Sequence, residues 1–187
     1  TLGYKAAPLI RVGDDFRTSG FEGYLEDAGV PRRGVQEIPG EKTSYSYLVQ
    51  APSGEHMTFF YPGAMAPAYS GPLAPELFKS SRYALITVAS EEDNRKFLNA
   101  ALASDSKIAF GMKADYDAFP KPFLKEILKQ AHIVFMNQME ADDIRERFNL
   151  DSIKALFDKS ELEVLIVTLG AEGTRYYARR EDGIHEG

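Results

Sequence analysis

Residues 163–173, EVLIVTLGAEG, constrain the fold more than any other stretch of this 187-residue chain. Val164, Leu165, Ile166 and Val167 form an unbroken apolar run rich in β-branched side chains. Such a run predicts a strand covered on both faces, as in a parallel sheet packed between helices. Thr168, Gly170 and Gly173 stand at the corners of the turn that follows. A hydroxyl and two glycines at the carboxyl end of a strand let backbone N–H groups come close to a ligand, and open α/β sheets bind their ligands at that edge. An ordinary strand ended by a glycine turn reads the same way.

The rest of the chain supplies a sheet for that strand to join. Residues 9–12 are a short apolar strand stopped by GDD at 13–15. Thr18 or Ser19 is placed to cap a helix through Phe21, Tyr24 and Leu25 that ends at Gly29 and Pro31. From residue 80 onward strands and helices alternate: a strand at 84–88, then a helix over EEDNRKFLNAALA with Phe97, Ala101 and Leu102 on one face. KIAFGM is the next strand, Phe123, Ile127 and Leu128 mark a helix after Pro120 and Pro122, and residues 132–136 are a strand again. Helices over 142–148 and 152–157, the second capped by Asp151, precede EVLIV; TRYYARREDG then reads as a strand and turn, with Tyr176 and Tyr177 on opposite faces. The alternation predicts a mostly parallel sheet covered on both sides, a three-layer α/β/α fold of Rossmann-like type.

Residues 31–72 break this pattern. TSYSYLVQ and HMTFFY are extended runs dense in Tyr, Phe, Val and Thr, and APSGE between them is a turn signal. They predict a β-hairpin with Ser44, Ser46 and Leu48 on one face and Tyr45, Tyr47 and Val49 on the other. It is either a hairpin within the sheet or a small flap whose one face covers a ligand. PGAMAPAYSGP, which follows, reads as a hinge or loop. The expected organisation is an α/β core of residues 1–30 and 73–187 with a flap and hinge at 31–72.

Composition narrows the function classes. A net charge of −6 argues against a general nucleic-acid binder, and the lack of cysteine excludes disulfides and thiolate metal sites. No apolar run nears the roughly 20 residues of a membrane span, and TLGYKAAPLI lacks a signal-peptide pattern, so a cytoplasmic protein without a membrane partner is expected. The phosphate loop G-x-x-x-x-G-K-[ST], H-E-x-x-H, G-x-S-x-G and G-x-G-x-x-G are all missing. His56, His132 and His185 are scattered, and His132, at the start of a strand, reads as structural.

NQME at 137–140 follows the strand HIVFM and places an amide and a carboxylate, Asn137 and Glu140, on one face of a helix's first turn. Such a pair can hold water on Mg²⁺ or position a phosphate through the metal. Asn as N-cap with Glu three residues on is also an ordinary capping box, and the two readings are compatible.

Taken together, these stretches resemble the ribokinase-like family of carbohydrate and nucleoside kinases over most of the chain. LIRVGDDFRTSGFEGYLEDAGV is similar to the family's strand, "VGDD" turn and helix; TSYSYLVQ, APSGE and HMTFFYPGAM are similar to its flap strands and the "PGA" after them. NQME matches its N-x-x-E motif and VTLGAEG its nucleotide-site turn, in the family's order.

The resemblance implies transfer of the γ-phosphoryl group of ATP, with Mg²⁺, to a hydroxymethyl group of a small sugar or nucleoside. It implies that Asn137 and Glu140 order Mg²⁺ and phosphates, that Thr168, Gly170 and Gly173 line the nucleotide site, and that Ser46, Leu48 and Phe60 face the acceptor. The family's Gly-Gly acceptor motif and its GAGD motif, which carries the catalytic base, are not among residues 1–187, so no catalytic residue is assigned and this segment alone is expected to be inactive. GMKAD stands where family members often carry Asp-Pro-Asn, which leaves the acceptor open. The aromatic flap suits stacking on a nucleobase, packing within the flap, or a homodimer through it. A non-catalytic α/β ligand-binding or interaction protein of the same fold is the alternative.

Overall fold

The computed structural model describes residues 3, 5–53 and 55–187, except for the side chain of His56. The Gly54 corner of APSGE, three residues of the TLGYKAAPLI start and the ring of His56 therefore lie outside the description. The chain forms two compact units, residues 1–71 and 72–187.

In the first unit β1 (Ile10–Val12) pairs in parallel with β2 (Val35–Glu37), connected through α1 (Phe21–Asp27). Val12, Phe16 and Leu25 are buried at the centre, with Ile10, Phe21, Val30 and Val35 packed around them. Thr18 does not cap α1, and Ser19 is not its N-cap residue, though its Oγ accepts the Phe21 N–H at 3.4 Å. The N-cap is Gly20 at φ +81°, because Thr18 Oγ1 donates to the Asp15 carbonyl and Ser19 Oγ to that of Phe16. Arg32 lies over the Phe16 ring and pairs with Glu22 and Glu37, closing the α1–β2 side.

The hairpin β3 (Tyr45–Gln50) and β4 (His56–Tyr61) forms a two-stranded sheet of its own. It is not a member of the large sheet, and every residue of β3 is exposed. The stretch after it is more ordered than a loop. Gly63–Met65 and Pro67–Tyr69 are 3₁₀ turns, with Gly63 and Ala64 buried.

The second unit is built on six strands: β5 (Tyr83–Ile86), β6 (Lys107–Gly111), β7 (Ile133–Asn137), β8 (Val164–Thr168), β9 (Thr174–Arg180) and β10 (Gly183–Glu186). Their order is β10-β9-β8-β7-β6-β5, with β5 to β8 parallel and the last two antiparallel. The three helices α2 (Glu91–Leu102), α3 (Lys121–Gln130) and α4 (Gln138–Phe148) join the parallel strands. Successive strands are laid side by side in one direction, and right-handed crossovers then bring every helix to the same face.

That face holds the core. Ala84, Ile86, Ile108, Phe110, Val134, Met136, Leu165 and Val167 are buried against Leu98, Phe123, Ile127 and Ile144 of the helices. Phe119 stands between Phe110 and Phe123 at 5.2 and 6.3 Å. The alternate residues tell a different story. Tyr83, Leu85, Phe135 and Tyr176 are 40–55% exposed, and Val164 and Ile166 are only half-buried. The expected two-sided cover of EVLIV is thus one-sided among the described residues.

Local departures have local causes. Leu102 is exposed because Asn94, Leu98 and Ala101 form the buried stripe of α2. Helix α4 begins at Gln138, since the Asn137 cap fixes its start. Residues 152–157 form a 3₁₀ turn, Ile153–Phe157, and its cap is Ser152, whose hydroxyl accepts the Lys154 N–H, rather than Asp151. The β9 strand has Tyr177 buried and Tyr176 outside, as the alternation predicts. His132 Nδ1 accepts the Ile108 backbone N–H at 3.2 Å, which gives this half-buried imidazole a structural partner.

Candidate nucleotide and metal site

Strands β7 and β8 end together, with Asn137 and Thr168 as register partners. Side chains alternate along a strand, so Asn137 shares a face with Ile133 and Phe135, and Thr168 with Val164 and Ile166. Both belong to the face the helices leave open.

Asn137 also starts α4. Its side chain accepts the Glu140 N–H at 2.8 Å while Glu140 Oε2 accepts the Asn137 N–H at 2.8 Å, a reciprocal capping box. Glu140 is 8% exposed. The carboxylate sits at the positive end of the helix dipole and has its geometry fixed by the backbone. One N–H bond uses only part of a carboxylate's acceptor capacity, so the cap leaves Glu140 able to accept from water or a cation's hydration shell.

Among the described residues no three His, Asp or Glu side chains converge as a ready metal cage. Oxygen donors that act through retained water are compatible with Mg²⁺, which dehydrates reluctantly and uses one or two carboxylates. Asn137 and Glu140 fit that mode, not an all-protein cage.

Beyond Thr168 the chain closes a tight loop into β9: the Leu169 N–H donates to the Gly173 carbonyl at 2.8 Å, and Thr174 pairs with Thr168. Gly170 and Gly173 have φ of +61° and +95°, and a Cβ at either would meet no heavy atom within 4 Å. Backbone conformation, not crowding by described residues, requires glycine here. The space beside this backbone is open, as a wall that receives a ligand needs. Thr168 is exposed at its edge. Thr168, Gly170 and Gly173 thus share one loop, with Asn137 and Glu140 on the adjacent strand end and helix.

The remaining sequence-predicted residues lie on the hairpin of the first unit. Ser46 pairs with Phe60 and Leu48 with Thr58, so Ser46, Leu48 and Phe60 share one face. Tyr45, Tyr47, Val49, Met57, Phe59 and Tyr61 share the other, with Tyr45 packed on Tyr47 and Tyr61 at 5.5 and 5.1 Å.

One group near the strand ends escaped sequence reasoning. Tyr116, in the loop after β6, donates to Asp143, and Arg147 also bonds Asp143, at 2.8 Å, with its guanidinium 3.4 Å above the Tyr116 ring. Desolvation, with help from Asp143, pushes the phenol above its ordinary pKa. The i,i+4 pair Asp143–Arg147 was readable in α4, but nothing marked the loop tyrosine as its third member. The cluster braces the loop that follows β6.

The sequence model described as pfkB family carbohydrate kinase matches residues 1–187. A nucleoside kinase of Methanocaldococcus jannaschii is 27% identical over 178 residues, covering 95% of this chain and 57% of that protein. A crystal structure under that name and organism has a TM-score of 0.82 at 24% identity, covering 99% of this chain and 59% of its own. A probable fructokinase-3 of Arabidopsis thaliana is 24% identical over 196 residues, covering 97% of this chain and 57% of that protein. The nucleoside kinase of Burkholderia thailandensis solved in complex with ADP-inosine has a TM-score of 0.79 at 18% identity, covering 98% of this chain and 55% of its own. The chain therefore spans a little over half the length of these relatives, and within that span the mixed α/β fold with its mostly parallel sheet is theirs. Matched from its first residue to its last, this chain belongs to the pfkB family of carbohydrate kinases.

Proposed function

We propose that the intact protein transfers the γ-phosphoryl group of ATP to a hydroxymethyl group of a small sugar or nucleoside. The observation that carries this reading is the Asn137–Glu140 capping box set beside Thr168 and the open Gly170–Gly173 loop at one end of the parallel strands. In the reaction the acceptor oxygen bonds to the γ-phosphorus while the bond to the β–γ bridging oxygen breaks. ADP leaves, and the hydroxyl proton passes to a base that no residue of 1–187 is assigned to be. Bound Mg²⁺ supplies charge neutralisation on the phosphates. Glu140 and Asn137 hold its water shell, Thr168, Gly170 and Gly173 line the nucleotide, and Ser46, Leu48 and Phe60 face the acceptor. Catalysis of this kind is positioning and electrostatics, so a hairpin that excludes water has a direct role.

The organisation that suits this reading is a core of residues 1–30 and 73–187 with a lid and hinge at 31–72, completed by chain that relatives carry outside the matched span. On that ground the 187 residues alone transfer no phosphoryl group. Among acceptors, nucleosides and fructose lead, since the relatives are named nucleoside kinases and fructokinases. The exposed Tyr47, Phe59 and Phe60 support a nucleobase or a homodimer through the hairpin. The net charge of −6 speaks against nucleic acid, and among the described residues no helix is long and apolar enough to cross a membrane; the cytoplasm is the compartment that suits an ATP-dependent enzyme.

One observation favours a non-catalytic protein of the same fold: the capping box by itself accounts for Asn137 and Glu140. The deciding experiment assays the intact protein with ATP and Mg²⁺ against ribose, fructose, inositol, adenosine and inosine. Turnover of any acceptor supports the kinase. ATP binding without turnover of any of them supports the binding protein.

A further inference from the structure

The hairpin β3–β4 is joined to the rest of its unit by a lead-in at residues 40–43 and an exit at 62–66. The lead-in is held by the GDD turn through four hydrogen bonds. The Gly13 N–H donates to Thr43 Oγ1 at 3.0 Å, the Asp14 N–H to the Glu41 carbonyl at 2.9 Å, the Gly40 N–H to Asp14 Oδ2 at 2.9 Å, and the Thr43 N–H to Asp15 Oδ1 at 2.7 Å.

The exit is held from β1 by Arg11, which is 8% exposed. Its Nε donates to the Ala64 carbonyl at 2.8 Å, and its Nη2 to those of Met65 and Ala66 at 3.1 and 3.4 Å. Lead-in and exit are tied to each other, since the Ala64 N–H donates to the Lys42 carbonyl at 2.8 Å. Contact is close enough that side chains are excluded. A Cβ on Gly13 would stand 2.3 Å from the Glu41 oxygen, and one on Gly63 would stand 2.2 Å from the Lys42 oxygen. Outside these, Glu41 accepts from the Tyr69 hydroxyl at 2.5 Å and the Tyr61 hydroxyl at 3.3 Å, joining the end of β4 to the second 3₁₀ turn.

A hinge needs backbone whose hydrogen bonds are few or face solvent, so that φ and ψ can change at little cost. Residues 40–43 and 62–66 have the opposite character. A buried guanidinium that donates to three successive carbonyls fixes them in one conformation, because releasing it would strand a buried charge without its acceptors.

We propose that Arg11 and Asp15 are positioning residues that weld the hairpin to β1, so that the hairpin moves with residues 10–15 as one body and does not swing about its own root. This deepens, and rests on, the reading of Ser46, Leu48 and Phe60 as the acceptor face. It also removes the first half of PGAMAPAYSGP from the hinge and places residues 10–15 in the body of the lid, not in the α/β core. The IRVGDD segment acts through the hairpin, setting where that face stands, and touches no substrate itself. The bond from Thr43 likewise holds the Asp15 carboxyl below its ordinary pKa.

The test compares Asp15→Ala with Asp15→Asn in the intact protein, by amide hydrogen exchange and by steady-state kinetics. An asparagine oxygen can still accept from Thr43, so the pair isolates the hydrogen bond from the charge. Asp15→Ala is expected to speed exchange at Thr43 by about tenfold or more, the worth of one such bond, and to raise the acceptor KM with the ATP KM unchanged. Asp15→Asn is expected to restore both, and Arg11→Lys to speed exchange at Ala64. Unchanged Thr43 exchange in Asp15→Ala, failure of Asp15→Asn to restore it, or a parallel rise of both KM values overturns the proposal. If the parent protein phosphorylates no acceptor, the kinase reading falls, and the exchange measurement still decides whether the weld exists.

Discussion

Asn137 and Thr168 close adjacent parallel strands as register partners, and from that shared edge one opens a helix and the other a glycine loop. A capping side chain and an exposed hydroxyl are therefore neighbours, which allows structural and chemical roles to be separated by substitution.

Replacing Glu140 with Gln keeps a side-chain oxygen for the Asn137 N–H and removes the charge. Folding stability should change little, while kcat falls about tenfold, the loss expected for a weakened charge-assisted contact in the transition state, and the Mg²⁺ concentration for half-maximal rate rises. Asn137→Ala should instead cost about 1 kcal/mol of stability through the lost cap, with Asn137→Ser recovering most of it. Urea unfolding and a Mg²⁺ titration of the rate check both; unchanged Mg²⁺ dependence in the Gln variant leaves Glu140 as a cap alone.

Gly173→Ala places a Cβ where φ is +95° and no described neighbour stands within 4 Å. Strain from the left-handed backbone should cost about 1–2 kcal/mol, and ATP affinity should fall further than stability does. Gly63→Ala meets the Lys42 carbonyl at 2.2 Å and should destabilise more, without a specific effect on ATP. Thermal unfolding beside nucleotide titration distinguishes them.

The two faces of the hairpin should part company. Leu48→Ala and Phe60→Ala are expected to raise the acceptor KM and leave the ATP KM unchanged. Tyr47→Ser and Phe59→Ser, on the opposite face, should leave both constants alone and shift a dimer toward monomer in sedimentation. All four side chains are more than half exposed, so their removal costs folding little. An acceptor KM that responds equally to both pairs would refute the assignment of faces.

Two groups set limits to stability in pH. The Thr43 N–H bond lowers the pKa of Asp15, so its contribution is complete above the ordinary carboxylate value of about 3.9 and disappears as pH falls through the lowered one. Burial and Asp143 raise that of Tyr116. Its contribution is complete below the ordinary phenol value of about 10 and is lost as pH rises through the raised one. Denaturation against pH should show Asp15→Asn flattening only the acid limb and Tyr116→Phe only the alkaline limb.

Much of the architecture was legible because its signals are local. The Asn137–Glu140 box needs four consecutive residues, and the β8 strand with its glycine loop needs eleven. What the sequence concealed depends on residues far apart. The Arg11 bond to Ala64 spans 53 positions and that of Tyr116 to Asp143 spans 27. The one-sided cover of β8 was hidden for another reason: Val164 and Ile166 are as apolar as Leu165 and Val167, and hydropathy does not record which face a crossover helix will reach. The hairpin's two faces were legible from alternation, and Ser46, Leu48 and Phe60 do fall together, but which face meets a ligand was not, since both carry large apolar side chains.

The single direction in which β5 to β8 are laid down has a consequence for access. Any further strand–helix unit added in the same sense would thicken the layer already present and leave the bare face bare, because the hand of the crossover does not change. Chain that crosses the sheet, or strand–helix units added in the opposite order beyond β5, would roof Tyr83, Leu85, Phe135 and Tyr176. Asn137 and Thr168 belong by parity to that same side, so whatever roofs the sheet also borders the ends of β7 and β8.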